Sequence, residues 1–472
     1  MTTEQERVER ELRRNPKYRQ PFFSRSSWSR RELFSLAGGL TAAVLASPPA
    51  VAQKIVSGGN NPKTKNTAKN VIFIMLAGAP SHTDLFDFKM IPGVTPTAAK
   101  PETLKPGVLW PTGILPKLGT QFDDLAIVRS MRARALVHSL SQTWIQIGRS
   151  PVAALGDVAP HIGSIVALEK TPDRTPNNVF PTFLALNSNG AVGPGYFDSK
   201  FAPFKTTPSP TGLPNTQHVG GEAVFTERFN VLHELDDSLR VASPLGKNVE
   251  DMDDFYRAAR GLMYNPDVDK AFKYTQADSA RYGNNAFGNA CLTAKQVLES
   301  NDGTRFVQIT LGGWDMHQNI YGVNGNLNSA GSIFALGKVL DDGMGTLIAD
   351  LKASGLLAET LIVAVGEFGR TVGRLSAQAG RDHYSQQFAV FAGGGVKGGR
   401  VIGSTDENGA LTVNPGWSRD RDVWAEDIEA TILSAMGIDW TTIRYDDPFG
   451  RGFEYVPNAK EDLYGPINEL WG

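Results

Sequence analysis

Cysteine is almost absent from this chain, because Cys291 is the single one among 472 residues. An intrachain disulfide is therefore excluded, and we expect Cys291 to act as a small buried hydrophobe and not as a reactive thiol. An excess of charge of one sign is missing as well: 47 Lys and Arg stand against 49 Asp and Glu, a formal net charge of −2. No basic stripe interleaved with aromatic residues is present either. These absences argue against a nucleic-acid partner.

The first 52 residues are typical of an export signal. An arginine-rich polar stretch, 1–28, precedes the arginine pair of Ser29–Phe34, a short apolar stretch at 36–45, and the small residues Ala50–Ala52. The arginine pair resembles a bacterial twin-arginine signal, which exports proteins already folded. The apolar stretch is too short for a good membrane span. We expect a periplasmic or secreted mature chain with no stable membrane span; an uncleaved anchor and a chance arginine pair are the alternatives.

Apolar runs alternate with helical patterns over the rest of the chain, whose length suits one large α/β domain or two domains. This alternation predicts an α/β fold with a mostly parallel central sheet and helices on both faces. Strands are predicted at Asn70–Leu76, 124–129, 180–186, 305–311, 360–365 and 387–391. Helices are predicted at 137–148, 335–355 and 425–436, the last of them amphipathic, with a loop at 92–116.

The predicted domain organisation follows from the same pattern. Residues 1–52 are the signal region, 53–69 a linker, 70–458 the α/β domain and 459–472 a C-terminal tail. The segment from about 187 to 303 interrupts the alternation, since its first half is rich in Gly, Pro, Asn and Ser and its second half is helical in character. We interpret it as a loop-rich and helical insertion and not as a second independent domain.

Four short motifs, each at or near the end of an apolar run, contain chemically active side chains. They are motif 1 (Gly78–Asp84), motif 2 (Gly312–His317), motif 3 (Gly366–Arg370) and motif 4 (Gly380–His383). Loops that leave the carboxyl ends of parallel strands converge at one edge of an open α/β sheet. Carboxylates and imidazoles brought there from several strands are what a metal-assisted hydrolase needs. The motifs therefore predict a metal or catalytic site. They contain three histidines, His82, His317 and His383, and His138 is a fourth candidate.

Each motif also has a structural explanation when it is considered alone. Asp84, with Asp87 close behind it, suits either a metal ligand or the capping of a helical turn with Ser81 or Thr83. Asp315 and His317 point to the same side if the backbone is extended, yet a hydrogen-bonded core histidine is the usual alternative. The combination of all four motifs favours the functional interpretation.

At these residues the chain resembles the alkaline phosphatase/sulfatase-like superfamily. More specifically, it resembles a bacterial family of secreted, twin-arginine-exported proteins whose domain has no assigned function. The resemblance covers about 71–456 and is strongest at motifs 1 to 4 and at the glycine-rich stretch 393–399.

The resemblance implies a two-metal site. It implies metal ligation by acids and histidines of the four motifs: Asp84, Asp315, His317, Glu367 and His383. The position of Asp382, next to His383 and just before a predicted strand, makes it a sixth candidate ligand. It also places the catalytic nucleophile at the start of a helix that closes with Gly148-Arg149, where this chain has His138 and Ser139. No cysteine stands there, so formylglycine chemistry is excluded.

Two functions are compatible with these residues. The first is a periplasmic metal-dependent hydrolase of phosphate or sulfate esters, small or on a polysaccharide, with Ser139 or water as nucleophile and His138 as ligand, nucleophile or base. The expected cofactor is a divalent metal, zinc before manganese or calcium. The second is a catalytically degenerate sulfatase-like protein that binds an envelope partner or acts as a scaffold, since fold resemblance alone does not establish catalysis.

Overall fold

Eight strands pair into one central sheet in the computed structural model of the chain, which describes residues 56–57, 62–153, 155–240 and 247–472. The strands are β1 (Asn70–Leu76), β2 (Leu125–Arg132), β3 (Phe183–Leu186), β4 (Phe204–Thr206), β5 (Phe306–Leu311), β6 (Thr360–Val365), β7 (Gln386–Ala392) and β8 (Arg400–Ile402). Their order across the sheet is β8-β2-β7-β6-β1-β5-β3-β4. Neighbours run parallel except where β7 meets β6 and β2. The predicted mostly parallel sheet is confirmed.

Helices pack on both faces of this sheet. The α-helices of the described residues are α1 (Pro116–Thr120), α2 (His138–Ile147), α3 (Ile162–Lys170), α4 (Gly221–Arg240), α5 (Lys247–Leu262), α6 (Pro266–Phe272), α7 (Gln276–Arg281), α8 (Ala286–Ser300), α9 (Ile333–Leu340), α10 (Thr346–Ala353) and α11 (Ala425–Ala435). A π-helical turn, Asp341–Gly345, joins α9 to α10. One apolar core lies between the sheet and α8, α9 and α10, and the other between the sheet and α2, α3 and α11.

The central strand β1 shows why its sequence is apolar without interruption. Ile72 and Ile74 belong to one core, whereas Val71 and Phe73 belong to the other, because successive side chains of a strand point to opposite faces. All seven residues of β1 are buried. A strand covered on both faces needs apolar residues at every position.

Several short strands pair outside the central sheet. Pro101–Lys105 pairs with Val108–Pro111, so the prediction of a loop over 92–116 is wrong there. Gly369–Arg370 pairs with His383–Tyr384, and Ser404–Thr405 with Thr412–Asn414. Val56–Ser57, Ile443–Arg444 and Phe453–Glu454 form a three-stranded sheet.

The described residues from Val56 to Gly472 form one compact unit. The segment 187–303 includes α8, which is largely buried against the sheet and so belongs to the central core. Ile467 and Leu470, from the predicted tail, are buried in the opposite core. Among the described residues, no helix combines the length and apolar character that crossing a membrane requires. The predicted signal region, 1–52, lies outside the described residues.

Strand direction brings the functional loops to one edge of the sheet. Strands β1, β2, β5 and β6 are mutually parallel, so the loops that follow them leave from the same edge. Strand β7 is antiparallel to β6 and therefore begins at that edge, directly after His383.

Candidate metal centre

Four side chains from three of these loops converge at the carboxyl edge of the sheet. His138 is the first residue of α2 and follows β2, Asp315 and His317 follow β5, and His383 precedes β7. We call these four residues the His–Asp cluster. Their ligand atoms all lie within 4.8 Å of one another.

The distances within the His–Asp cluster fit a common metal ion. Oδ1 of Asp315 lies 3.2 Å from Nε2 of His138, 3.0 Å from Nε2 of His317 and 3.8 Å from Nε2 of His383. The Nε2 atoms of His317 and His383 are 3.0 Å apart. Ligands held at about 2.0–2.1 Å around a tetrahedral zinc ion would be about 3.3 Å from one another. Three imidazole nitrogens and one carboxylate oxygen thus surround a point where a divalent ion would fit.

The other ring nitrogen of each histidine has a hydrogen-bond partner. Nδ1 of His138 lies 2.6 Å from Oε1 of Glu367, and Nδ1 of His317 lies 2.8 Å from Oδ1 of Asp382. Nδ1 of His383 lies 2.8 Å from the carbonyl oxygen of Leu136. Acceptors in these places keep the proton on Nδ1 and direct the lone pair of Nε2 into the cluster, the arrangement common around metal-ligating histidines. At His317, Nη1 of Arg370 lies 3.3 Å from that Nε2.

Glu367 is fixed by several donors at once. The backbone N–H of Gly78 donates to both of its carboxylate oxygens, at 2.9 and 3.2 Å, and Nε2 of Gln142 donates to Oε1 at 2.9 Å. Gly78 has φ +108°, and a Cβ there would lie 2.6 Å from the backbone nitrogen of Asp315. Only glycine allows motif 1 to approach motif 2 this closely.

A buried arginine, Arg370, connects all four motifs. Its Nη2 donates to Oδ1 of Asp315 at 2.6 Å and to the carbonyl oxygen of Gly78 at 2.5 Å. Its Nε donates to the carbonyl oxygen of Ala79 at 2.9 Å, and its Nη1 to that of Arg381 at 3.2 Å. The guanidinium group therefore fixes the carboxylate of the cluster as well as the loops around it.

The charges at the cluster favour forms that can bind a metal. Partial burial acts to raise the pKa of Asp315, but the hydrogen bond and charge of Arg370 outweigh it and lower this pKa. Partial burial, reinforced by the charge of Arg370, lowers the pKa of His383. At neutral pH a carboxylate and a neutral imidazole are the resulting forms. The Asp315 side chain is 50% exposed and that of His317 is 44% exposed, so the cluster is accessible from solvent.

The structure places the other predicted ligands around the cluster and not within it. Glu367 and Asp382 bond to cluster histidines through Nδ1, as described. Asp84 lies in a buried ion pair, accepting from Nε of Arg381 at 2.8 Å, from Ser81 at 2.5 Å and from Tyr321 at 2.5 Å. Their roles as ligands remain predictions.

The two predicted catalytic residues have different positions. His138 directs Nε2 toward the cluster and Nδ1 toward Glu367, which is the position of a ligand. Ser139, the next residue of α2, is exposed. A catalytic role for either residue remains a prediction.

His82 in motif 1 and Asp87 just after it make contacts typical of structural residues. His82 is fully buried, and its Nε2 lies 2.8 Å from the carbonyl oxygen of Gly409. Asp87 is buried, accepts from Thr405 at 2.5 Å, and lies 3.3 Å from Nε of Arg129. Neither belongs to the His–Asp cluster.

Sequence reasoning missed the buried arginines Arg370 and Arg381. Both stand inside the motifs, but an arginine in a glycine-rich loop is ordinarily a surface residue. The one available signal was the number of carboxylates in the motifs, which need compensating charge if buried.

The family model described as "Protein of unknown function (DUF1501)" matches residues 68–461. The chain belongs to the DUF1501 family. A comparison of this DUF1501 chain with curated proteins finds no match.

Solved structures similar to this DUF1501 chain are distant in sequence. The lipoteichoic acid synthase LtaP from Listeria monocytogenes is 12% identical over 85% of this chain and 79% of its own, with a TM-score of 0.37. The PsFucS1 sulfatase from Pseudoalteromonas sp. is 13% identical over 79% and 68%, with a TM-score of 0.38. A protein in the alkaline phosphatase superfamily from Vibrio parahaemolyticus is 12% identical over 88% and 76%, with a TM-score of 0.38. Similarity at this level does not transfer an activity or a set of ligands.

Proposed function

We propose that this protein is a metal-dependent hydrolase of phosphate or sulfate esters that acts in the periplasm after twin-arginine export. The observation that supports it best is the His–Asp cluster, in which four ligand atoms from three loops lie within 4.8 Å of one another and each imidazole is fixed at its other nitrogen. The ester class comes from the resemblance of motifs 1 to 4, and the location from the sequence of residues 1–52.

Zinc is the metal that this donor set favours. Three imidazole nitrogens and one carboxylate oxygen suit zinc, whereas calcium prefers six or more oxygen ligands. When bound, the ion would polarise an ester oxygen and lower the pKa of a water molecule in the site. Glu367 and Asp382 keep His138 and His317 in the tautomer that binds through Nε2, and Arg370 holds Asp315 in place.

Water is the nucleophile that the geometry favours. Nδ1 of His138 bonds to Glu367, and its Nε2, which has no hydrogen-bond partner among the described residues, faces the cluster, where a bound metal ion would leave it no lone pair for attack. Ser139 is exposed on the first turn of α2 next to His138, and its hydroxyl is the competing nucleophile. Replacement of Ser139 by alanine separates the two, because a water mechanism predicts little change in kcat and a serine mechanism predicts its loss.

An ester panel tests the proposal directly. We expect the zinc-loaded protein to hydrolyse at least one of p-nitrophenyl phosphate, bis-p-nitrophenyl phosphate and p-nitrophenyl sulfate. The Asp315→Ala variant should have lost the activity, and the matched control His218→Ala, a histidine outside the cluster, should retain it. No hydrolysis across a broad ester panel by protein shown to contain metal would contradict the proposal.

A scaffold function is the second candidate, and one observation favours it. Asp84, which the resemblance implies as a ligand, is neutralised by Arg381, so that the described residues offer one candidate metal cluster where the resemblance implies two metals. A protein that retains metal and binds a component of the envelope, but hydrolyses no ester, would fit this alternative.

A further inference from the structure

A small, partly open cavity adjoins Glu367, the residue that bonds to Nδ1 of His138. Its volume is about 20 Å³, and it lies between α2, the loop after β2, the start of β7 and the start of α11. Its lining includes Arg132, Trp144, Glu367, Gln387 and Glu426. Glu367 accepts the hydrogen bond from Nδ1 of His138. The cavity is therefore lined by a residue that orients one histidine of the His–Asp cluster.

Three buried polar atoms of this lining have no hydrogen-bond partner within the described part of the chain. They are Oε2 of Glu426, Oε1 of Gln387 and Nε of Arg132. Glu426 is 4% exposed and Gln387 3% exposed. Leaving a buried polar group unpaired is costly, so three such atoms on residues that line one cavity call for a ligand.

The chemistry of the three atoms fits a single water molecule. The N–H of Arg132 is a donor, whereas the oxygens of Gln387 and Glu426 are acceptors. A water molecule accepts one hydrogen bond and donates two, which is the usual number of partners for buried water. The cavity volume is close to the ~10–15 Å³ that holds one water. A metal cation fits less well, because one of the three unpaired atoms, Nε of Arg132, is an N–H donor with no lone pair to offer a cation.

We propose that one water molecule is bound in this cavity and forms part of the support of the metal centre. Nε2 of Gln387 lies 3.5 Å from the carbonyl oxygen of Glu367, whose carboxylate fixes His138. Oε1 of Glu426 accepts from Nε1 of Trp144 at 3.1 Å, on the helix that begins at His138. Gln387 and Glu426 are thus positioning residues that act on His138 through Glu367 and α2. The inference depends on the proposed metal centre but not on hydrolysis.

A high-resolution crystal structure of the unmodified protein tests the water directly. We expect a density peak within hydrogen-bond distance of Glu426, Gln387 and Arg132. An empty cavity, or a peak bonded to none of the three, would overturn the proposal.

Zinc affinity, measured by competition with a chelator, tests the positioning role. Gln387→Leu removes an acceptor and a donor at nearly constant volume, and we expect it to weaken zinc binding about 10–100-fold, as changes around metal ligands typically do. Glu426→Gln leaves one acceptor oxygen where the carboxylate has two, so it can accept from Trp144 or from the water but not from both, and should weaken zinc binding less than Gln387→Leu does. Gln296→Leu, on α8, is the matched control. Its affinity should not change.

The outcomes separate this inference from the proposed function. Unchanged zinc affinity in Gln387→Leu, with the variant shown by circular dichroism to be folded, would refute the positioning role. Normal zinc affinity and an observed water molecule in a protein that hydrolyses no ester would instead refute the hydrolase proposal alone.

Discussion

Each histidine of the His–Asp cluster depends on an acceptor that lies outside the cluster. Asp382, bonded to Nδ1 of His317, is the acceptor most easily changed, because its side chain is 67% exposed and substitution there should not disturb the core. We expect Asp382→Asn to lower zinc affinity about 10–100-fold through a less basic and less well oriented imidazole. Chelator competition measures this, with Asp420→Asn as a surface control. Unchanged affinity would mean that the Asp382 contact is incidental.

Asp84 tests whether a predicted ligand is a structural residue. Its carboxylate and the guanidinium group of Arg381 are both 1% exposed, and removing one partner of a buried pair typically costs about 3–5 kcal/mol. We therefore expect Asp84→Asn to lower the free energy of unfolding by an amount in that range while the metal content per folded chain stays the same.

The control for Asp84 is an exposed ion pair. Asp462, 88% exposed beside Arg419, should contribute about 1 kcal/mol or less, so Asp462→Asn should unfold at nearly the same urea concentration as the unmodified protein. A folded and stable Asp84→Asn variant that had lost metal would instead support the ligand role.

His161 predicts a specific dependence of stability on pH. Burial lowers the pKa of His161 to about 3, whereas an unfolded histidine titrates near 6.5. Below about pH 6.5 the unfolded chain binds a proton that the folded chain excludes. The free energy of unfolding should therefore fall by about 1.4 kcal/mol per pH unit from about pH 6.5 toward pH 3 on account of this residue. Above pH 6.5 the contribution is constant.

Urea titrations at several pH values check this prediction. His161→Gln retains an acceptor for the N–H of Gly163, which now bonds to Nδ1 at 2.7 Å, but cannot be protonated. Its stability should vary less steeply with pH than that of the unmodified protein. Equal slopes in the two proteins would show that the folded state admits the proton.

At the scale of elements, α2 places His138 because both ends of the helix are defined. The helix begins at His138 and ends before Gly148, which has φ +57°. A Cβ on Gly148 would lie 1.9 Å from Oε2 of Glu429 on the buried helix α11. We expect Gly148→Ala to cost about 2–5 kcal/mol, as the sum of the left-handed backbone and overpacking.

Gly355 is a matched control for Gly148. It has φ +79°, but among the described residues no atom lies within 4 Å of the position that a Cβ would take there. Gly355→Ala should therefore cost only the backbone term, about 1–2 kcal/mol. Equal losses in the two variants, measured by urea unfolding, would contradict the close packing of α2 on α11.

Local sequence patterns predicted where strands and helices lie better than they predicted which elements pair or pack together. The apolar runs at Asn70–Leu76 and Thr360–Val365 are strands with those boundaries. The sequence predicts an amphipathic α11, but this helix is buried on nearly all sides, acids such as Glu429 included. The antiparallel direction of β7 depends on pairing with β6 and β2, which are distant in sequence, and so leaves no local pattern.

The same limit applies to the site. The motifs correctly placed Asp315, His317 and His383 at one edge of the sheet, because strand ends can be predicted from apolar runs. They did not show that Arg381 neutralises Asp84 or that Glu367 faces Nδ1 of His138. Those contacts depend on loop conformations fixed by interactions between residues more than 200 positions apart.

At the scale of the whole molecule, the sheet acts as a rigid frame that holds three loops in register. The parallel strands β1, β2, β5 and β6 end at one edge, and β7 begins there, so the cluster residues are brought together by the fold itself. We therefore expect the metal centre to be largely formed before metal binds, with little change in circular dichroism on zinc addition. A large gain of helical signal would contradict a preformed centre.

The most direct test of the central claim is the metal content of the purified protein, measured by elemental analysis beside a variant that combines Asp315→Ala with His383→Ala. The His–Asp cluster predicts about one tightly bound zinc ion per chain and none in the variant. Absence of metal from the unmodified protein, even after loading with zinc, manganese and calcium, would contradict the metal centre and with it the proposed hydrolase.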